Sequence, residues 1–304
     1  MIKKRYYLLP LFAAFLAGVL YNVVEILMNN YSFNSTFIVI ITNFFAGLIL
    51  FLSIKNKKNI KPLFNKKKNF VLLLVASITT FSLAYFTLYW SIKLIGSAKT
   101  SFMVLIEPLF VSILAIIFLK ETIKRKDIFW GALLIFGALL INFDFTYFKF
   151  LFGWGELLAI LAPLLFAIGI VATTDLLKRI PLLEITAIEL IIGSILLFLT
   201  LGFFISFNFS FALIPIGLLL LTILVIAINW LSYNAGLKYL GASLTSILYS
   251  SKAFFTLGIS LILLLILPGI GLKIPENIIA MILGGLLMIL AIIAIQKNDL
   301  KESI

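Results

Sequence analysis

The chain contains no cysteine and no histidine among its 304 residues. Without thiols there are no disulfides and no thiolate metal sites. Without imidazole there is no histidine proton relay, no zinc site of the usual kind and no Ser-His triad. Charge is also scarce: 12% of residues are charged, against about a quarter in a soluble domain. What fills the space is apolar, with 63% hydrophobic residues and a mean hydropathy of +1.23. No water-soluble surface can be built from this composition, so the bilayer is the expected solvent. The apolar runs are continuous rather than alternating. Backbone groups in lipid must be satisfied within the segment, so the expected fold class is an all-α integral membrane protein.

The net charge of +12 would suit a nucleic-acid partner if the basic residues formed a patch. They lie instead in short tracts between apolar runs, which reads as cytoplasmic loops and no nucleic acid. The N-terminal MIKKRYYLLPLFAAFLAGVL has the basic start and apolar core of a signal peptide. Its apolar stretch runs on to Met28 and further spans follow, so it is expected to be a first, uncleaved span.

Given about 20 apolar residues per crossing, ten transmembrane helices are expected, at roughly 7–28, 36–54, 69–90, 98–119, 128–143, 154–177, 184–205, 211–235, 240–267 and 277–295. The second half echoes the first. SIKLIGSAKTSFMVLIEPLF at 91–110 aligns with GLKYLGASLTSILYSSKAFF at 236–255, and Lys93, Gly96, Thr100, Ser101 and Phe110 recur as Lys238, Gly241, Thr245, Ser246 and Phe255. Two five-helix repeats follow, at 1–145 and 146–304, with 144–153 as the link. An odd number of spans per repeat makes them inverted, an arrangement of many secondary transporters. With the N-terminus inside, 19 of the 24 Lys and Arg fall in cytoplasmic segments, seven of them between 55 and 68. Both termini are therefore expected in the cytoplasm, with the protein multi-pass in the cell (inner) membrane.

Several segments together resemble a known family. Gly18 and Asn22-Val23-Val24 lie in span one. Tyr89-Trp90-Ser-Ile-Lys-Leu-Ile-Gly96, Glu107-Pro108-Leu-Phe110 and Leu119-Lys-Glu121 follow, and the second half repeats the first of these as Tyr233 through Ser243. The chain resembles the EamA-type transporters of the drug/metabolite transporter superfamily over essentially its whole length. It departs at Asn43-Phe44, where the family often has Arg-Phe, and at Ala253, where a Pro is expected. The resemblance implies export or exchange of small metabolites, often amino acids.

An ionisable residue at the centre of a span costs about 2.5–3.5 kcal/mol on insertion scales, so it faces a partner or a cavity. Glu107 and Lys252 occupy equivalent mid-span positions of the two repeats, and they form the expected core of a substrate site. Either they pair until an anionic or zwitterionic substrate competes for Lys252, or they form a permanent ion pair between the halves, or the two charges never meet. Tyr249 shares a polar stripe with Lys252, Thr245 and Thr256; Asn229, Trp230, Tyr233 and Asn234 cluster on span eight; Ser82, Tyr85 and Tyr89 recur on span three. Polar-tipped aromatics of this kind hold small substrates by stacking and hydrogen bonds. The competing reading is interhelical packing, with Tyr89 and Trp90 in an interfacial belt. Asn22, a further expected substrate-binding residue, shares a face of span one with Glu25, which is expected near water at the outer end. Glu189 and Asp175 are expected to reach water at inner ends, and Asn43 to bond another helix. Glu107 and Glu25 are the candidates for carrying a coupling proton.

The function expected is a secondary transporter, an exporter or exchanger of a small polar metabolite such as an amino acid or organic anion, working by alternating access. The alternative is a flippase for a lipid-linked or sugar-linked substrate. A membrane enzyme fits poorly, since there is no His box, Asp-rich diphosphate motif or nucleophile–base pair. No metal or organic cofactor is implied; the expected partners are substrate and membrane lipids, with a homodimer left open.

Overall fold

In the computed structural model the described residues are 4–119, 133, 135–137, 139–144, 149–150, 152–202, 212–273 and 277–300. Helices α1 (Leu8–Asn30), α2 (Ser35–Leu52) and α3 (Lys67–Ile95) come first. Helix α4 follows in two segments, Ser97–Met103 and Glu107–Leu119. After a two-residue antiparallel pairing of Phe143–Asp144 with Lys149–Phe150 come α5 (Trp154–Leu177), α6 (Leu182–Leu201) and α7 (Leu213–Leu240). Helix α8 is again in two segments, Ala242–Tyr249 and Lys252–Ile266, and α9 is Ile278–Leu300. Eight helices among the described residues are long and apolar enough to cross a bilayer, and α9 contributes a shorter apolar stretch, Ile278–Ala291. The expected fifth span, 128–143, falls mostly outside the described residues.

Helix ends follow local chemistry. The side chain of Asn34 caps α2 by accepting from the Thr36 and Phe37 amides at 2.8 and 3.4 Å. Spans three and eight run to Ile95 and Leu240, five residues past their expected ends at 90 and 235. They stop where the chain reaches a residue able to turn it: Gly96 and Gly241 have φ of +84° and +86°, open to glycine alone in practice. The reversal is thus the same in both halves.

The breaks in α4 and α8 also correspond. A 3₁₀ turn at Val104–Ile106 precedes Glu107, and a turn at Ser250–Ser251 precedes Lys252. Pro108 sits in the first turn of its segment, where a missing N–H costs nothing. The second break forms without proline, since Ala253 stands at that place. Residues Ser77–Ala84 of α3 form a π-helix. That register shift sends Ser82 to the Gly193 carbonyl of α6 and leaves Tyr85 facing inward.

Helix α1 packs against α7 and α8, α2 against α6, and α3 against α5 and α6. At Gly18 an added Cβ would stand 2.8 Å from the Phe255 Cβ. That close approach lets Asn22 donate to the Thr256 carbonyl at 3.0 Å. Asn43 donates across helices to the Phe81 carbonyl at 3.1 Å, as expected. Tyr89 differs from its expected belt position: it is fully buried, and only its neighbour Trp90 faces outward, 44% exposed. Two consecutive helical residues point about 100° apart, so one of them faces the bundle core.

Candidate functional site

The helix breaks place Glu107 and Lys252 at the starts of facing half-helices. The Lys252 Nζ lies 2.8 Å from the Glu107 Oε2, both side chains nearly devoid of solvent contact. The Lys252 ammonium also stands 4.2 Å from the centre of the Tyr249 ring, a cation–π contact that counts for more when desolvated. A carboxylate at a helix start is favoured by the helix dipole and an ammonium there is not. Lys252 is therefore held by Glu107 and the Tyr249 face rather than by its own helix.

Above the pair lies a narrow aromatic cavity. Tyr85, Phe166, Trp230, Tyr233 and Tyr249 line it together with Glu107 and Lys252. Trp230 Nε1 donates to the Tyr85 hydroxyl at 2.7 Å. The Trp230 ring meets Tyr233 edge-on at 5.4 Å between centroids, and Tyr233 meets Tyr249 at 4.6 Å. Edge-to-face contacts at such spacings are favourable.

The expected site residues therefore divide. Glu107, Lys252, Tyr249, Tyr85, Trp230 and Tyr233 come together around one cavity. Asn229 stands behind it: its side chain donates to the Ala13 carbonyl at 2.6 Å and accepts from the Tyr249 hydroxyl at 3.5 Å, so it aims the tyrosine. Asn22 is elsewhere, bonded to Gly18, Thr256 and Ser260 between α1 and α8. Sequence reasoning did not single out Tyr21, Leu88, Phe166 and Ile170, which complete the lining. A signal existed for three of them. Tyr21 and Phe166 stand 145 positions apart, as do Leu88 and Tyr233.

Two carboxylates lie where the sequence did not lead. Glu25 was expected near water and is fully buried. Its two oxygens accept from the Ser97 and Lys273 amides at 2.8 and 2.9 Å. It thereby caps the start of α4, while the Lys273 Nζ donates to the Lys93 and Leu94 carbonyls at the end of α3. Glu189, expected to reach water, is also fully buried. Seven residues into α6, it lies about 10 Å from the helix start at 1.5 Å per residue. Asp175 lies at the surface among Lys68, Lys178 and Arg179. Lys99, within a span, pairs with Glu156.

Comparison with known proteins gives a family and a fold. The sequence model of the EamA-like transporter family matches the chain twice, over residues 4–143 and 153–295. Among curated protein sequences none matches significantly. One solved crystal structure superposes with a TM-score of 0.63 at 15% identity, covering 94% of this chain and 95% of that one; at this identity the likeness is one of fold.

Proposed function

The chain belongs to the EamA-like transporter family, membrane transporters rather than enzymes, and from that premise we propose that it exports or exchanges a small polar metabolite with an anionic group. An amino acid or organic anion is the substrate class, and alternating access of the aromatic cavity is the mechanism. The observation that carries this reading is the desolvated Glu107–Lys252 pair walled by Tyr249 and Trp230. A buried ion pair is weak support for stability, because desolvating two charges offsets much of their attraction. A substrate carboxylate that takes over the Lys252 ammonium would recover that cost while its side chain stacks on the aromatic wall. Glu107, released, could then take a proton or the substrate's ammonium.

The architecture proposed is ten spans in two inverted halves, 1–145 and 146–304, with both termini cytoplasmic in the cell membrane. Two contacts support a twofold relation between the halves, and the odd number of spans per half supplies the inversion: Tyr85 touches Trp230 and Glu107 touches Lys252, each pair 145 positions apart. Equivalent residues that touch one another lie on the axis relating their repeats. Rocking of one half against the other about that axis would expose the cavity to each side in turn.

The test is uptake into proteoliposomes of labelled amino acids and organic acids, wild type beside Lys252→Ala. Uptake by the wild type that is lost in a folded Lys252→Ala protein supports the reading. Undiminished uptake with unchanged affinity in the variant would sink it. No uptake by the wild type would direct attention to lipid-linked or sugar-linked substrates.

A further inference from the structure

We propose that Glu189 is a proton-binding site, distinct from the central cavity, through which the proton gradient drives transport. The proposal rests on the transporter reading above and adds to it the coupling ion and the residue that carries it.

Glu189 lies within a span, and among the described residues its surroundings carry no compensating charge. Its Oε1 accepts from the Thr173 hydroxyl at 2.9 Å, and its Oε2 has no partner. The charged groups on the helices around α6 are exposed or held by other partners. Helix α2 has no charged residue. On α3, Lys67 and Lys93 are exposed and Lys68 pairs with Asp175. On α5, Asp175 is held by Lys68 and Arg179, and Glu156 by Lys99. On α7, Lys238 is exposed and Tyr233 lines the central cavity. Glu184, on α6 itself, accepts from the Asn59 amide at 3.0 Å, and Lys57 and Lys58 beside it are exposed. Among the described residues no ion pair reaches Glu189. The other buried acids among the described residues differ: Glu107 and Glu156 each have an ammonium, Glu25 has two backbone amides, and Glu184 has the Asn59 side-chain amide.

An ionised carboxylate with no counter-charge is strongly disfavoured in such a place, so this geometry holds the acid form. Ionisation requires a second arrangement in which water reaches the group. Alternation between two such arrangements is what a coupled carrier needs. The surroundings suit it. Ser77 Oγ, Thr80 Oγ1 and Asn43 Oδ1 are buried without partners, on the helices packed against α5 and α6. The glycine contacts place two of them close by. A Cβ on Gly193, one turn from Glu189, would meet the Ser77 carbonyl, and one on Gly169, one turn from Thr173, would meet the Thr80 hydroxyl. Polar residues of α3 therefore pack within about one helical turn of the acid and of its Thr173 donor.

The link to the substrate cavity is short. Thr186, one turn before Glu189, accepts from the Asn234 side chain at 2.9 Å. Its neighbour Tyr233 faces the Glu107–Lys252 pair. Hydration of Glu189 requires α6 to loosen on its neighbours, and α7 carries that change to the cavity wall.

Two measurements test this. Infrared titration of the purified protein in lipid is expected to show a protonated-carboxyl band that fades as pH rises. The band should be missing in Glu189→Gln and kept in Glu107→Gln. A titrating band that survives in Glu189→Gln, or one that never fades, overturns the proposal. In proteoliposomes with the labelled amino acid mixture, Glu189→Gln should lose accumulation driven by a pH gradient while keeping exchange of substrate for substrate. Full gradient-driven accumulation in that variant also overturns it. Retained exchange shows that the variant is folded; should exchange vanish, Thr173→Val, which removes only the hydroxyl donor, is expected to shift the pH dependence of accumulation, and an unshifted profile overturns the proposal. If the wild type moves none of the mixture, the substrate reading fails and the infrared result alone decides for or against Glu189.

Discussion

Tyr85 and Trp230, 145 positions apart in the chain, meet through a hydrogen bond of 2.7 Å from the indole N–H to the phenol oxygen. Glu107 and Lys252 meet at the same separation in sequence. Two self-equivalent contacts, one neutral and one charged, fasten the halves of the molecule where the cavity lies. Each makes the site sensitive to substitution in its own way.

For the charged contact, Lys252→Met leaves the Glu107 carboxylate buried and unpaired. Removing one partner of a buried pair costs about 3–5 kcal/mol. The double variant Glu107→Leu with Lys252→Met should recover most of that stability while remaining inactive. Thermal unfolding in detergent beside proteoliposome uptake separates the two effects, and a double variant as unstable as the single one would contradict the assignment.

For the neutral contact, Tyr85→Phe strips the acceptor from a buried indole N–H. An orphaned buried donor costs about 1–3 kcal/mol. Trp230→Phe removes the donor instead and leaves a phenol, which can rotate its hydroxyl toward another partner. Tyr85→Phe is therefore expected to lower the unfolding temperature more than Trp230→Phe loses through its hydrogen bond, once the smaller ring is accounted for by a Tyr85→Phe/Trp230→Phe double variant.

The two glycine reversals should respond unequally to alanine. Both have backbone angles that cost a side-chain-bearing residue about 1–3 kcal/mol. Gly241 has nothing within 4 Å of an added Cβ, whereas at Gly96 it would lie 2.9 Å from the Lys273 Cβ. Unfolding measurements should therefore rank Gly96→Ala as the more damaging substitution.

Glu25 predicts a local effect. Replacement by Leu leaves the Ser97 and Lys273 amides without acceptors. Hydrogen exchange should accelerate at those two amides before it does elsewhere. Unchanged exchange there would mean that the carboxylate does not hold the α3–α4 junction.

Much of this was legible in the chain. Long apolar runs, the basic tracts and the recurrence of Lys93, Gly96 and Phe110 at Lys238, Gly241 and Phe255 specified membrane helices in two related sets. The recurrence also marked Glu107 and Lys252 as counterparts. Tyr89, Glu25, Asn22 and Glu189 were less legible. Their distance from a span end says how deep they sit and leaves open which way they face.

The sequence by itself determined the solvent, the helical class and the repeat, because lipid tolerates few alternatives for an apolar backbone. It also supplied glycine at both reversals, whose angles only glycine readily accepts, although apolar run length alone ended those spans five residues early. The tertiary structure decided which side chains meet. A helix of apolar residues carries little information about its own rotation, and that rotation is set by the neighbours it packs against. Only packing brought the Lys252 ammonium onto Glu107, turned Asn22 away from the cavity and left Glu189 in the bundle with no cation among the described residues.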